Sequence, residues 1–339
     1  MVAKRSPTRK RAAATARLRP YAVVTIMAAV AGTVCSGRCR RWVQGLGMGA
    51  DAVFAEFKAR VRREVEAALE GALAACEATE VRRVAEYAAL GGGHRWRAIA
   101  TVAAGMTFRD DALEVCLPSA CGVELAHAAS LILDDLPSMD DASTRRGKPC
   151  AHLAFPRWAV DMAPPFLVSL AFQTALRNPL VSSERRIAAA LEMAGAAGRM
   201  IEGQEMDVTQ AAAEGSGALL ECYTLKTGAL YAASAKVGAI LCGADETDAA
   251  VFYDSGMGLG LSYQFLDDTA DQLGGGGRSG KPTGQDRRKR TALSVYGVEG
   301  ARARAAAFAE QALAPLERFG PRAALFVSLV READWARDA

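Results

Sequence analysis

Apolar positions recur at helical spacing along most of this chain. In AVFAEFKARVRREVEAALEGALAACEA, Val53, Phe54, Phe57, Val61, Val65 and Leu69 form one stripe with charges opposite, which predicts an amphipathic helix. Similar patterns predict helices over Glu80 to Leu90, Ile99 to Met106, Asp111 to Leu136, Trp158 to Leu176, Glu184 to Val208, Ala218 to Leu241, Thr247 to Leu273, Gly300 to Phe319 and Arg322 to Arg337. Breakers separate them: the glycines at 91–93, Pro137, Pro149, Pro156, Asn178 with Pro179, Gly243, and the GGGGRSG loop from Gly274. Ser182, Ser183 and Thr247 stand where helix N-caps are expected. No alternating strand pattern of useful length and no internal repeat interrupts the series, so the expected fold class is all-α, one large single-domain bundle over residues 51–339.

Composition agrees, with 51% hydrophobic residues and few aromatics. Charge is uneven along the chain. The first 50 residues hold ten basic groups and no acid, which leaves 31 basic and 38 acidic groups in the remainder. A mildly acidic body argues against nucleic acid as partner. The basic head contains the 14-residue apolar run YAVVTIMAAVAGTV, short for a membrane span. Acid-free, Arg-rich and Ala-rich, residues 1–50 resemble an organelle transit peptide, with plastid the first expectation, mitochondrion the second and a short membrane anchor the alternative. No later stretch reaches 18 unbroken apolar residues, so the body is not expected to span a membrane. The eight cysteines show no CxxC pair, which fits buried thiols in a reducing compartment.

Two acidic clusters carry the chemistry. DDLPSMDD, from Asp134 to Asp141, and DDTAD, from Asp267 to Asp271, each end an apolar, helix-patterned stretch and are each followed by basic groups. On a helix Asp267 and Asp271 face the same way and repel unless a cation lies between them. Sparse all-oxygen ligands suit Mg²⁺, which keeps waters and is usually completed by substrate phosphates. Either cluster alone would more often be a solvated face. Two of them, on apolar stretches, point to a diphosphate enzyme.

The segments GGHRWRAIATVAA, VELAHAASLILDDLPSMDDASTRRGKPCAH, GQEMD, KTGALYAASAKVGAILCGA, YQFLDDTAD and GKPTGQD, running from Gly91 to Thr291, resemble the trans-isoprenyl diphosphate synthases in order and spacing. Four residues between Asp135 and Asp140 make the first cluster most similar to that of plant, algal and bacterial geranylgeranyl diphosphate synthases. The resemblance implies the isoprenoid synthase fold around a central active-site cavity, and a Mg²⁺-dependent condensation of isopentenyl diphosphate with an allylic diphosphate. It implies metal binding by Asp134, Asp135, Asp140, Asp267, Asp268 and Asp271. Arg145, Lys226 and Lys281 would bind the allylic diphosphate, with Thr227 and Gln264 beside the reacting carbons; Lys226, Thr227 and Gln264 are the catalytic set. His94, Arg97, His127 and Arg146 would hold isopentenyl diphosphate, and Gln204 and Asp207 would support the metal side. A dimer is implied, with a second copy or with a related synthase.

Several of these residues have plain alternatives: His127 as a satisfied core histidine, Arg145 and Arg146 as helix-end charges, Lys226 as a snorkelling side chain. The chain also departs from the family. His94 stands for a lysine, Leu133 for a histidine, Ala163 and Pro164 for a Gly-Asp pair, and Gln285 for a second lysine. Pro164 and Pro165 are expected to start or kink their helix. Ala129 and Ser130, one turn ahead of Asp134, are small where bulk would close the product pocket early, so the resemblance implies a product of about twenty carbons or somewhat more, not ten or fifteen. The departures leave room for a weakly active or non-catalytic regulatory subunit paired with an active synthase. A class I terpene cyclase fits less well, because its second motif carries Asn, Ser and Glu. A helical binding module without chemistry leaves both clusters unexplained.

Overall fold

The computed structural model describes residues 50–209, 215–272 and 290–333. The expected targeting segment at residues 1–50 and the expected ligand Lys281 lie outside them, Ala50 excepted, as does Gln285. Among the described residues the fold is all-α apart from one small hairpin: α1 (Ala50–Ala74), α2 (Glu80–Ala89), α3 (Trp96–Met106), α4 (Ala112–Asp134), β1 (Thr144–Arg145), β2 (Lys148–Pro149), α5 (Ala151–Ala154), α6 (Arg157–Leu176), α7 (Ser183–Val208), α8 (Ser216–Tyr223), α9 (Ala229–Leu241), α10 (Glu246–Gln272), α11 (Ala292–Leu313) and α12 (Ala324–Ala333). The stripe expected on α1 is buried at Phe54, Phe57, Val61, Val65 and Leu69, while Val53 is half-buried.

Helix α9, buried along almost its whole length, is the centre of the bundle and packs on α3, α7 and α10. Its Gly238 crosses α3 so closely that a Cβ there would lie 1.8 Å from the carbonyl oxygen of Thr101, so nothing larger than glycine fits. Helix α4 packs along α6 and α3, and α10 along α11. A second, smaller core of Leu219, Tyr223, Leu261, Phe265, Leu266 and Ala292 joins α8, α10 and α11 beneath the second acidic cluster. By length and composition α4 and α6 could each cross a membrane, although polar residues break their apolar runs; α4 is 78% buried as a core helix is, α6 50%.

Local expectations were corrected in four places. Pro164 and Pro165 do not start a helix: α6 runs through both from Arg157, because Ala163, Pro164, Leu167, Leu170 and Ala171 are buried and the packing on α4 outweighs the lost amide donors. The helix expected from Gly300 begins at Ala292, where Thr291 and Ser294 form a capping box, and it is kinked at Gly297 (φ 67°). Asp245, not Thr247, caps α10, accepting from the amide of Asp248 at 2.8 Å. The helix expected over Ala218 to Leu241 is divided by a single π-helical turn, Thr224–Gly228.

Candidate active site

The first acidic cluster is shaped by the end of α4. Pro137 stops the helix, and the loop folds back so that the amide of Asp140 donates to the Asp134 carbonyl at 2.9 Å and that of Asp141 to Leu136 at 3.0 Å. The chain then makes the hairpin β1–β2, with Arg145 paired to Lys148 and a turn at Arg146 (φ 53°) and Gly147 (φ 74°). This turn sends the adjacent arginines apart. Arg145 grips Asp135, its Nε lying 3.1 Å from Oδ2 with Nη2 on the other oxygen, while Arg146 donates to the carbonyl of Gly92. Asp135 is buried under this ion pair, whereas Asp134 and Asp140 are half-exposed.

The π turn carries Lys226 and Thr227, and a π bulge of this kind widens the helix where side chains must be re-aimed. Helix α7 meets it at Gly203, where a Cβ would lie 2.4 Å from the backbone nitrogen of Lys226. The next turn of α7 supplies Asp207, which accepts from Lys226 Nζ at 2.6 Å. Burial works against the lysine's charge, but the carboxylates of Asp134, Asp207 and Asp140 outweigh it and raise its pKa, so it is an ammonium at any physiological pH. Gln204, one residue after Gly203, touches Met139 Sδ at 3.8 Å in the loop of the first cluster.

Thr227 reaches the other way. Its hydroxyl donates to Gln264 Oε1 at 2.7 Å, and Gln264 Nε2 donates to Asp268 Oδ1 at 2.8 Å. Asp268 Oδ2 accepts from the hydroxyl of Tyr223 and from the amide of Ala292 at 2.9 Å. Asp268 is therefore held by three protein donors and is buried. Asp267 is half-exposed, and its charge is felt by the buried Tyr231 of α9. Asp271 belongs to α10 by its backbone, and its side chain is outside the description. Among the described residues no three acidic, histidine or cysteine side chains gather closely enough to hold a metal unaided.

The residues expected around isopentenyl diphosphate form a basic corner. Arg97 Nη1 lies 3.2 Å from His127 Nε2, and its guanidinium stacks 4.4 Å above the Tyr231 ring. Burial first, then the charges of Arg97, Arg146, Arg145 and Arg95, hold the His127 pKa well below its usual range, so the ring is neutral and accepts from Arg97. Burial and the neighbouring arginines also lower the pKa of Arg146, whose guanidinium passes over Gly93, where a Cβ would lie 2.7 Å from Nη2. Arg97 Nε and His127 Nδ1 are buried without a hydrogen-bond partner among the described residues. His94 is exposed at the edge of this corner. Ala129 is buried and the Ser130 hydroxyl donates to the His127 carbonyl at 2.9 Å, one turn below the first cluster.

Three residues of this arrangement were missed from sequence. Arg95, in a left-handed conformation (φ 57°) and buried, pairs with Glu124 at 3.4 Å and donates to the carbonyl of Ala89 at the end of α2 at 2.8 Å. Tyr231 backs Arg97, and Tyr223 binds Asp268. All three fall in patterns that read as core or helix end, so nothing in their spacing marks them.

Comparison with known proteins places this geometry. Residues 78–318 match the sequence profile of the polyprenyl synthetase family. The chain is 34% identical over 241 residues to geranylgeranyl pyrophosphate synthase 11, chloroplastic, of Arabidopsis thaliana, covering 69% of this chain and 67% of that one. It is 33% identical over 273 residues to geranylgeranyl pyrophosphate synthase 6, mitochondrial, of the same plant, covering 74% and 81%. The crystal structure of an FPP/GFPP synthase from Zymomonas mobilis superimposes with a TM-score of 0.72 at 28% identity, covering 84% of this chain and 99% of that one.

Proposed function

The chain belongs to the polyprenyl synthetase family and is a trans-prenyltransferase of the isoprenoid synthase fold, and from that premise we propose that it joins isopentenyl diphosphate to an allylic diphosphate to make geranylgeranyl diphosphate. One observation carries the reading. The π turn links both acidic clusters, Lys226 lying in the field of Asp134, Asp140 and Asp207, and Thr227 tied through Gln264 to Asp268.

The donors fit Mg²⁺: half-exposed carboxylates with no closed cage, a site to be completed by phosphate oxygens. Asp134, Asp140 and Asp267, with Asp271 and with Asp135 once Arg145 lets it go, would hold it, and when bound it neutralises the leaving diphosphate. Lys226 and an Arg145 released from Asp135 bind the allylic diphosphate, and Lys281 is assigned with them. The carbon–oxygen bond breaks with its electrons going to the diphosphate, and the oxygens of Thr227 and Gln264 face the allylic cation. Arg97, oriented by neutral His127, holds isopentenyl diphosphate together with Arg146 and His94. The double bond of that substrate forms the new carbon–carbon bond, and the departed diphosphate takes a proton from the neighbouring carbon, which restores unsaturation.

Small Ala129 and Ser130 support the twenty-carbon product. A plastid location, with mitochondrion second, rests on the acid-free first 50 residues and on the names of the relatives. A dimer with a second copy or a related synthase is proposed from the resemblance. The test is direct: the purified chain with Mg²⁺, labelled isopentenyl diphosphate and each allylic primer in turn, products sized by chromatography. Twenty-carbon product is expected. No elongation by the pure chain, with stimulation of an active relative on mixing, would replace this reading with that of a regulatory subunit, which the comparisons do not support.

A further inference from the structure

Hydrogen-bond direction around Asp268 is forced by chemistry. A carboxylate only accepts, so Gln264 must turn its NH₂ to Asp268 Oδ1 at 2.8 Å and its carbonyl to Thr227 at 2.7 Å. Thr227 has one hydroxyl proton, and it goes to that carbonyl. What this pair can offer an approaching group is therefore oxygen lone pairs. Reversing the amide would offer N–H groups, the wrong sign for an allylic cation. Asp268 thus sets the sign of the local dipole, and what holds Asp268 matters.

Resting on the function proposed above, we infer that Tyr223 is a positioning residue for the condensation: with the Ala292 amide it fixes Asp268, and through Asp268 and Gln264 it keeps the Thr227 and Gln264 oxygens aimed at developing positive charge. Both Tyr223 and the Ala292 amide reach Asp268 Oδ2, and the same amide lies 2.9 Å from Tyr223 Oη, closing a three-membered knot between α8, α10 and the start of α11. The Tyr223 ring is locked edge-on against Phe265, with centroids 5.5 Å apart at 85°. Burial, and then the Asp268 charge, raise its pKa, so its hydroxyl stays a donor. Asp268 is in this account an orienting group and not a metal ligand.

The experiment compares wild type, Tyr223→Phe, Asp268→Asn and Asp267→Asn by steady-state kinetics, and by Mn²⁺ binding followed by electron paramagnetic resonance in the presence of inorganic diphosphate. Tyr223→Phe removes one oxygen and keeps the packed ring; kcat is expected to fall about tenfold with KM for isopentenyl diphosphate and Mn²⁺ affinity unchanged. Asp268→Asn places an NH₂ against Gln264 and reverses its amide, so kcat is expected to fall by about a further tenfold, again without loss of Mn²⁺. Asp267→Asn should lose Mn²⁺. A Tyr223→Phe enzyme with wild-type kcat, or Asp268→Asn weakening Mn²⁺ as much as Asp267→Asn does, overturns the inference. Normal Mn²⁺ binding by Asp267→Asn overturns the metal assignment instead and leaves the Tyr223 result to be read on kcat.

Discussion

The two acidic clusters look alike in sequence and are held in opposite ways. Around the first, the charge of Asp135 is balanced by Arg145, and Lys226 lies among Asp134, Asp140 and Asp207, so the counter-ions are the ends of long, flexible side chains. In the second, Asp268 is gripped by a locked tyrosine ring, a backbone amide and a carboxamide. Flexible cations can be exchanged for metal and diphosphate at little cost in structure. Fixed donors cannot. On the proposed function the first cluster is the one whose counter-ions would change during turnover, while Asp268 of the second would keep its donors.

That contrast is broken most sharply by truncating one acid from each side. Asp134→Ala should reduce turnover by about a thousandfold or more, with the helical circular dichroism and melting temperature close to wild type. Asp268→Ala should lose turnover and also about 2–3 kcal/mol of stability, since the Tyr223 hydroxyl and Ala292 amide are left buried without an acceptor; denaturant titration measures it. Equal melting curves for the two variants would erase the distinction.

Next in size is Arg145→Gln. Releasing Asp135 should strengthen Mn²⁺ binding in the absence of substrate while raising KM for the allylic primer about tenfold, through loss of a charge-assisted contact to diphosphate. Isothermal titration and steady-state kinetics separate the two. Unchanged metal affinity would mean that the Arg145–Asp135 pair does not compete with metal.

The smallest expected effect sharpens the basic corner. His127 has a folded-state pKa held below its usual 6.5, so the native state resists protonation. The unfolded chain binds that proton more readily, so stability is full above about pH 6.5 and declines as pH falls below it. His127→Gln should flatten this part of the stability profile, measured by urea midpoints from pH 5 to pH 8. An unaltered slope would show that His127 is not the group titrating.

Much of this was legible beforehand. Helix α1 follows its stripe, α4 ends where Pro137 requires, and the paired Asp motifs with Lys226, Thr227 and Gln264 mark the reaction class. Local rules failed at Pro164 and Pro165, where burial against α4 carries the helix onward, and at Ala292, where a capping box starts a helix ahead of a glycine kink.

Residue type and spacing by themselves marked the paired carboxylates as candidate cation ligands, because that is a property of single side chains and of helical period, and the resemblance to a family added the candidate diphosphate-binding groups. That Asp268 accepts from Tyr223 and Ala292, and that the carboxamide of Gln264 turns its oxygen to Thr227 and its NH₂ to Asp268, was decided only in three dimensions. Those outcomes depend on donors brought from α8 and from the start of α11, far away along the chain, and on a π turn that no periodicity announces.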